Sequence, residues 1–132
     1  MDCPKCKEAM IVLELRQIEI DYCTSCSGIW LDKGELELLV GDQQEQQDTV
    51  LSDFVPQHRS KEKAYRCPIC RKKMEKVLSG KQHQILIDRC HNHHGLWFDA
   101  GELHLLIESY SGKEDPVVSL LNEMFRYNLK KQ

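Results

Sequence analysis

Six of the seven cysteines in this chain fall in C-x-x-C pairs, and the segments that carry them recur in the same order along the sequence. CPKCKEAM (3–10) aligns with CPICRKKM (67–74) at an offset of 64 residues. IDYCTSCSGIWLDKGELELLV (20–40) aligns with IDRCHNHHGLWFDAGELHLLI (87–107) at an offset of 67 residues. The difference of three residues falls around Ser79, Gly80 and Lys81, where a turn can absorb it. Self-similarity over about 40 residues, reaching both ends of the unit, identifies two tandem copies of one small module.

Each copy reads as a C-P-x-C turn, a stretch of β character, a second cysteine turn, G-x-W, and a short helix. Ile18, Ile20 and Tyr22 alternate with Glu19 and Asp21, the period of a half-buried strand, with Ile85, Leu86 and Ile87 as counterparts. Asp32 with Glu35, and Asp99 with Glu102, have the spacing of a capping box ahead of an apolar run. Leu36, Leu39 and Val40 supply the buried stripe of the first helix, and Leu103, Leu106 and Ile107 that of the second. Trp30 and Trp97, at matched positions, are expected to pack against the knuckle and the following helix as module core.

Zinc takes four soft or borderline ligands in a tetrahedron, and a C-x-x-C turn delivers two thiolates from one loop. Cys3, Cys6, Cys23 and Cys26, with sixteen residues between the pairs, fit a β-hairpin carrying a knuckle at either strand end. The second copy offers Cys67, Cys70 and Cys90. Alignment on Gly28 and Gly95 sends Cys26 to His93, which makes His93 the expected fourth ligand. The spacing Cys90-x-x-x-His94 also suits zinc, but breaks that alignment. Two structural Zn²⁺ ions are therefore expected. Neither the odd cysteine count nor the N-terminus, which shows no basic-then-apolar signal, suits a disulfide framework, so a reducing cytoplasmic setting is expected.

The fold class expected is a small metal-stabilised α+β protein built from two tandem zinc ribbons. The first ribbon covers residues 1–41, a linker covers 42–64 with helical character before Pro56, the second ribbon covers 65–111, and a C-terminal amphipathic helix covers 112–132. Charge is abundant and aromatics are few, which argues against one large core. In the C-terminal helix Val117, Leu120, Leu121 and Met124 share one face, with Val118, Phe125 and Leu129 beside it.

The residues now on the page resemble the transcription-factor zinc-finger family, the TFIIB-like zinc ribbons of bacteria. The shared pattern is C-P-x-C followed by I-D-x-C-x-x-[CH]-x-G-x-W-[LF]-D-x-G-E-L, present twice. The resemblance implies a ribbon fold with one zinc per module, ligated by Cys3, Cys6, Cys23 and Cys26, then by Cys67, Cys70, Cys90 and His93.

Charge is divided unevenly. Residues 1–57 carry four basic and twelve acidic side chains, whereas residues 58–132 carry fourteen basic and nine acidic. Arg59, Lys61, Lys63, Arg66, Arg71, Lys72, Lys73, Lys76 and Lys81 form the basic run. Such a run serves phosphate contacts, or simply solvates a hairpin. Two binding functions follow: a nucleic-acid or transcription-related module, and a protein–protein adaptor or homodimer built on the C-terminal helix. No 18-residue apolar run exists, so no membrane span is expected. Catalysis is not expected, because four protein ligands close each site and no H-E-x-x-H, P-loop or G-x-S-x-G occurs. Clustered thiolates also oxidise and release metal, which leaves a redox or zinc-sensing role as a third reading.

Overall fold

In the computed structural model, residues 1–40, 44–58, 61–82 and 84–131 are described, without the side chains of 44–46 and 125–131. Arg59 and His83 lie outside the described residues, as do the side chains of Phe125 and Leu129.

Each repeat folds as a hairpin followed by a third strand and a helix. In the first, β1 (Ile11–Leu15) pairs with β2 (Ile18–Tyr22), which pairs with β3 (Ile29–Asp32), leading into α1 (Glu35–Leu39). In the second, β5 (Glu75–Ser79), β6 (Ile85–Arg89), β7 (Gly95–Phe98) and α3 (Glu102–Ser111) follow the same order. The first hairpin turns through Arg16 and Gln17, both left-handed at φ 49° and 64°. The second has a longer turn between Ser79 and Ile85, which accommodates the three extra residues of the offset.

The third strands join the repeats. β3 pairs antiparallel with β7 in the register Ile29↔Phe98, Trp30↔Trp97, Leu31↔Leu96 and Asp32↔Gly95. Trp30 and Trp97 are equivalent residues, so the repeats are related by a pseudo-twofold axis through this pair. The outcome is one seven-stranded sheet, β1-β2-β3-β7-β6-β5-β4. Its last strand, β4 (Val55–Pro56), comes from the linker and pairs with β5. Pro56 suits that place, since an edge strand tolerates the missing N–H.

The two faces of the sheet do different work. Ile29, Leu31, Leu96 and Phe98 point to the helices and enter one continuous core with Leu36, Leu39, Val40, Leu103, Leu106 and Ile107. That single core spans both repeats, against the expectation drawn from composition: pairing β3 with β7 pools two small apolar faces into one. Trp30 and Trp97 lie in the opposite cluster, with Cys3, Cys23, Cys67 and Cys90 of both cysteine sites.

The remaining helices close the helical layer. α2 (Gln44–Ser52) buries Val50, and Phe54 follows it into the core, while Leu51 stays 42% exposed. α4 (Pro116–Lys131) buries Val117, Val118 and Leu121 and partly covers Met124. Leu120, expected on the inner face, is instead 43% exposed: Val118, not Leu120, completes the stripe with Val117 and Leu121. Polar ties join the helices to one another and, through Arg16, to the first hairpin. Arg16 donates to the Leu39 carbonyl and pairs with Asp115, Ser111 donates to the Val40 carbonyl, and Tyr110 donates to Asp53.

The capping boxes form by half. The Glu35 and Glu102 carboxylates accept from the backbone N–H of Asp32 and Asp99 at 2.6 and 2.8 Å. The aspartates, however, are not the caps. Gly34 and Gly101 occupy the N-cap positions with φ of 90° and 83°, a conformation glycine adopts freely. Asp32 and Asp99 instead accept from the indole N–H of Trp30 and Trp97. A buried indole N–H requires an acceptor, and the neighbouring aspartate supplies it.

Candidate metal centres

Four loops carry the candidate ligands. In the two Cys-Pro-x-Cys turns the chain doubles back through Lys7 and Arg71, left-handed at φ 67° and 63°. Their N–H groups return to the Cys3 and Cys67 carbonyls at 2.9 and 2.8 Å. Further N–H groups point at the sulfurs: Lys5 and Cys6 donate to Cys3 Sγ, and Ile69 donates to Cys67 Sγ. Such donors stabilise thiolate. The turns are therefore shaped to hold anionic sulfur.

The first site brings Cys3, Cys6, Cys23 and Cys26 together, with all ligand atoms within 4.8 Å of one another. Cys3 and Cys26 sulfurs are 3.7 Å apart. A disulfide needs about 2.05 Å, whereas thiolates at tetrahedral corners about 2.3 Å from zinc lie about 3.8 Å apart. The spacing is that of a zinc tetrahedron. Protons alone serve this crowd poorly: the hydrogen bond with Cys26 draws Cys3 down to about 5, and the same contact pushes Cys26 upward. A divalent cation would allow all four sulfurs to ionise together.

In the second site the group is Cys67, Cys70, Cys90 and His94. Cys70 and Cys90 sulfurs are 3.7 Å apart, and His94 Nδ1 lies 3.5 Å from Cys90 Sγ and 3.9 Å from Cys67 Sγ. Backbone donors again face the cluster, led for Cys70 by its bond with the Lys72 backbone, which draws that thiol down to about 6. Burial pushes Cys67 up to about 11.

His93, the expected ligand, is not in this cluster, and the reason lies in the turn. Both second knuckles keep the same frame: Cys23 N–H donates to the Gly28 carbonyl, and Cys90 N–H donates to the Gly95 carbonyl. The glycine alignment therefore holds. Inside the frame the turns differ. In the first, Ser27 is the left-handed residue (φ 65°) and closes an i to i+4 bond onto Cys23. In the second, the left-handed residue is His93 (φ 61°), one place earlier, closing an i to i+3 bond onto Cys90. The tighter turn leaves His93 exposed and brings the His94 ring to the three sulfurs. An imidazole Nδ1 stands one bond further from its backbone than a cysteine sulfur does, and the tighter turn accompanies that longer reach. Nothing in a residue-by-residue alignment carries that shift; the C-x-x-x-H spacing was its only sequence signal.

Among the described residues the other histidines are outside the cluster. His91 is an exposed neighbour whose Nδ1 sits 2.8 Å from Glu75, which also pairs with Arg89. His58 is exposed, and His104 is partly buried on α3, where burial lowers its pKa.

The conserved-looking G-x-W spacing within each copy has a tertiary cause. A Cβ on Gly28 would stand 2.3 Å from the Trp97 ring, and one on Gly95 would stand 2.6 Å from the Trp30 ring. Each tryptophan covers the knuckle glycine of the other repeat. The tryptophans are core, as expected, but of the junction rather than of their own module.

The basic run divides in the structure. Lys76 is buried on β5, its Nζ 2.6 Å from Asp88, its partner in register on β6. Lys81 lies over the Tyr110 ring at the far hairpin end. Lys61, Lys63, Arg66, Arg71, Lys72 and Lys73 stay exposed. Lys7 joins Arg66 and Arg71 around a cleft between the two Cys-Pro-x-Cys turns, lined also by Met1, Asp2, Pro4 and Pro68.

Among the described residues no helix is long and apolar enough to cross a membrane. The family model described as transcription factor zinc-finger matches residues 2–41 and again residues 66–109. No curated protein and no solved structure matches the chain.

Proposed function

We propose, from the premise that this chain belongs to the transcription factor zinc-finger family, that it is a zinc-stabilised binding module whose knuckle end receives the phosphates of a nucleic acid. The observation carrying this reading is the cleft where Lys7, Arg66 and Arg71 converge from two repeats, extended by exposed Lys72 and Lys73. Zinc ligated by Cys3, Cys6, Cys23 and Cys26, and by Cys67, Cys70, Cys90 and His94, would hold the turns that display these cations. Cations fixed on metal-closed turns release condensed counterions without a large ordering cost. Stacking contributes little, since Trp30 and Trp97 are fully buried.

Binding rather than catalysis is the chemical role inferred. Four protein donors at each zinc leave no coordination position for water or substrate. The free thiols suit a reducing compartment such as the cytoplasm. A role for α4 as a dimerisation helix draws less support, since Val117, Val118 and Leu121 already pack within their own chain.

Electrophoretic shift of labelled DNA and RNA by the zinc-loaded protein tests the reading. The expected shift weakens by roughly a thousandfold between about 50 and 200 mM salt, and Lys72→Glu with Lys73→Glu abolishes it. Affinity indifferent to salt and to that charge reversal would refute it.

A further inference from the structure

The pseudo-twofold axis that pairs Trp30 with Trp97 also generates two equivalent grooves, one beside each helix that follows a tryptophan strand. One is lined by Tyr22, Ile29, Asp99, Gly101, Leu103 and His104. The other is lined by Arg89, Leu96, Asp32, Gly34, Leu36 and Glu37, the same positions displaced by 67 residues. Each groove also reaches the opposing second knuckle, at Ser27 in one and at His93 in the other.

Their contents differ. In the first groove α4 seats Leu121 and Met124, one helical turn apart, leaving a cavity of about 20 Å³. Leu121 is only 5% exposed there. In the second groove Leu51 of α2 is the one apolar side chain from outside the two repeats among the described residues, and about 270 Å³ stays open. α2 ends at Ser52, and after Asp53 the chain leaves to form β4 at the sheet edge. No second apolar side chain one turn further on can follow Leu51 into the groove. Leu51 accordingly remains 42% exposed.

We propose that this open groove docks an amphipathic helix of a partner protein, carrying two apolar side chains one turn apart and basic residues beside them. The shape argument is internal: the sister groove, built from equivalent residues, is filled by such a helix. Its apolar floor is Leu36 and Leu96, with Leu51 as one wall. Charge selects the flanks. Asp32, Glu37 and Lys33 stand at the rim and Arg89 is ion-paired with Glu75, which leaves the rim a small acidic excess. A helix with lysine or arginine beside its apolar stripe meets that field favourably. The surface is distinct from the basic cleft at the Cys-Pro-x-Cys turns, so protein and nucleic acid would not compete for it.

The probe is a synthetic peptide with the sequence of residues 116–131, which fills the sister groove and carries Arg126, Lys130 and Lys131. Fluorescence anisotropy with zinc-loaded full-length protein is expected to show saturable binding. Amide shifts should concentrate at Leu36, Glu37, His93 and Leu96. Leu51→Glu should weaken binding at least about tenfold, with two zinc equivalents and the circular dichroism unchanged. Glu37→Arg, a rim change that leaves the apolar floor intact, should weaken it too and serves if Leu51→Glu fails to fold. Absence of saturable binding overturns the proposal, as do shifts confined to Tyr22, His104 and Leu121, which would mean exchange with α4. Light scattering adds a further outcome: a dimer that Glu37→Arg dissociates would make the occupant a second copy and overturn a separate partner.

Discussion

The two second knuckles, CTSCSG and CHNHHG, span the same six residues between the same hydrogen-bonded ends, yet bring their fourth candidate donor to the cluster from different positions. Cys26 precedes the left-handed residue of its turn; His94 follows it. Their outer frame is set by the sheet, because Gly28 and Gly95 are pinned beneath the tryptophans of the opposite repeat. Their interiors differ in which residue turns left-handed, Ser27 or His93, and in whether the donor brought to the cluster is a short thiol or a longer imidazole. Frame and ligand are thus separate constraints, and equivalence in the first does not carry over to the second.

Removing both metals tests what the knuckles share. Structural zinc contributes on the order of 10–16 kcal/mol of apparent binding free energy, which here is folding free energy. Chelation is expected to unfold both repeats in one transition, because β3 and β7 join them in a single sheet over a single core. Tryptophan near-ultraviolet dichroism should vanish in one step; two separated steps would mean independent modules, and a retained signal would mean that metal is dispensable.

Single ligands sharpen the contrast. His94→Ala is expected to lower bound zinc from two equivalents to one, while His93→Ala keeps both. Metal analysis of the purified variants decides between them, and the reverse pattern would restore the alignment-based assignment. His94→Cys is a finer probe: a shorter side chain on the tighter turn should bind zinc more weakly than His94 does.

The frame itself should be sensitive in both repeats. Gly28→Ala forces a Cβ into the Trp97 ring, whereas Gly95→Ala forces one against both the Trp30 ring and the Leu31 carbonyl oxygen, 2.2 Å away. Each should cost about 1–3 kcal/mol or more, as overpacking does, and Gly95→Ala the more because backbone yields less readily than a side chain. Urea unfolding would show a loss in both variants; an unchanged midpoint in either would mean that the tryptophan does not cover that glycine in solution.

The smallest effect concerns the capping glutamates. Burial raises Glu102 to about 8, with Asp99, Glu62 and Asp88 adding repulsion, and raises Glu35 to about 7. Both folded values lie above the ordinary glutamate value, so the native state binds the proton more tightly than the unfolded chain. Their effect is therefore a stability that is present at low pH and lost as pH rises from about 4.5 through about 8 for Glu102, and through about 7 for Glu35. Glu102→Gln keeps the carbonyl that accepts from Asp99 N–H and removes the charge. It should raise the melting temperature by about 2–5 °C at pH 8 and leave it nearly unchanged at pH 5. Glu35→Gln, at the less buried counterpart, should show the smaller gain.

The ribbon topology and the gathering of the seven cysteines into two clusters were legible because their signals are local. Thiol spacing, strand alternation and the glutamate of each capping box depend on residues within one turn or hairpin. Lys76 was misread as part of a solvated basic run because its partner, Asp88, lies across the hairpin. Asp32 and Asp99 were misread as caps because the buried indoles that claim them become buried only when the repeats meet.

By itself, then, the sequence determined that two copies of one zinc-closed unit exist, which residue types close them, and where the helices begin. Only the tertiary structure decided that the copies share a sheet and a core, that each tryptophan covers its neighbour's glycine, and that His94 rather than His93 stands with the three cysteines. The reason is reach. Spacing along the chain governs what a turn can bring together, but β3 meets β7 across 67 residues, and which way a knuckle's side chains point depends on a backbone twist that two aligned sequences need not share.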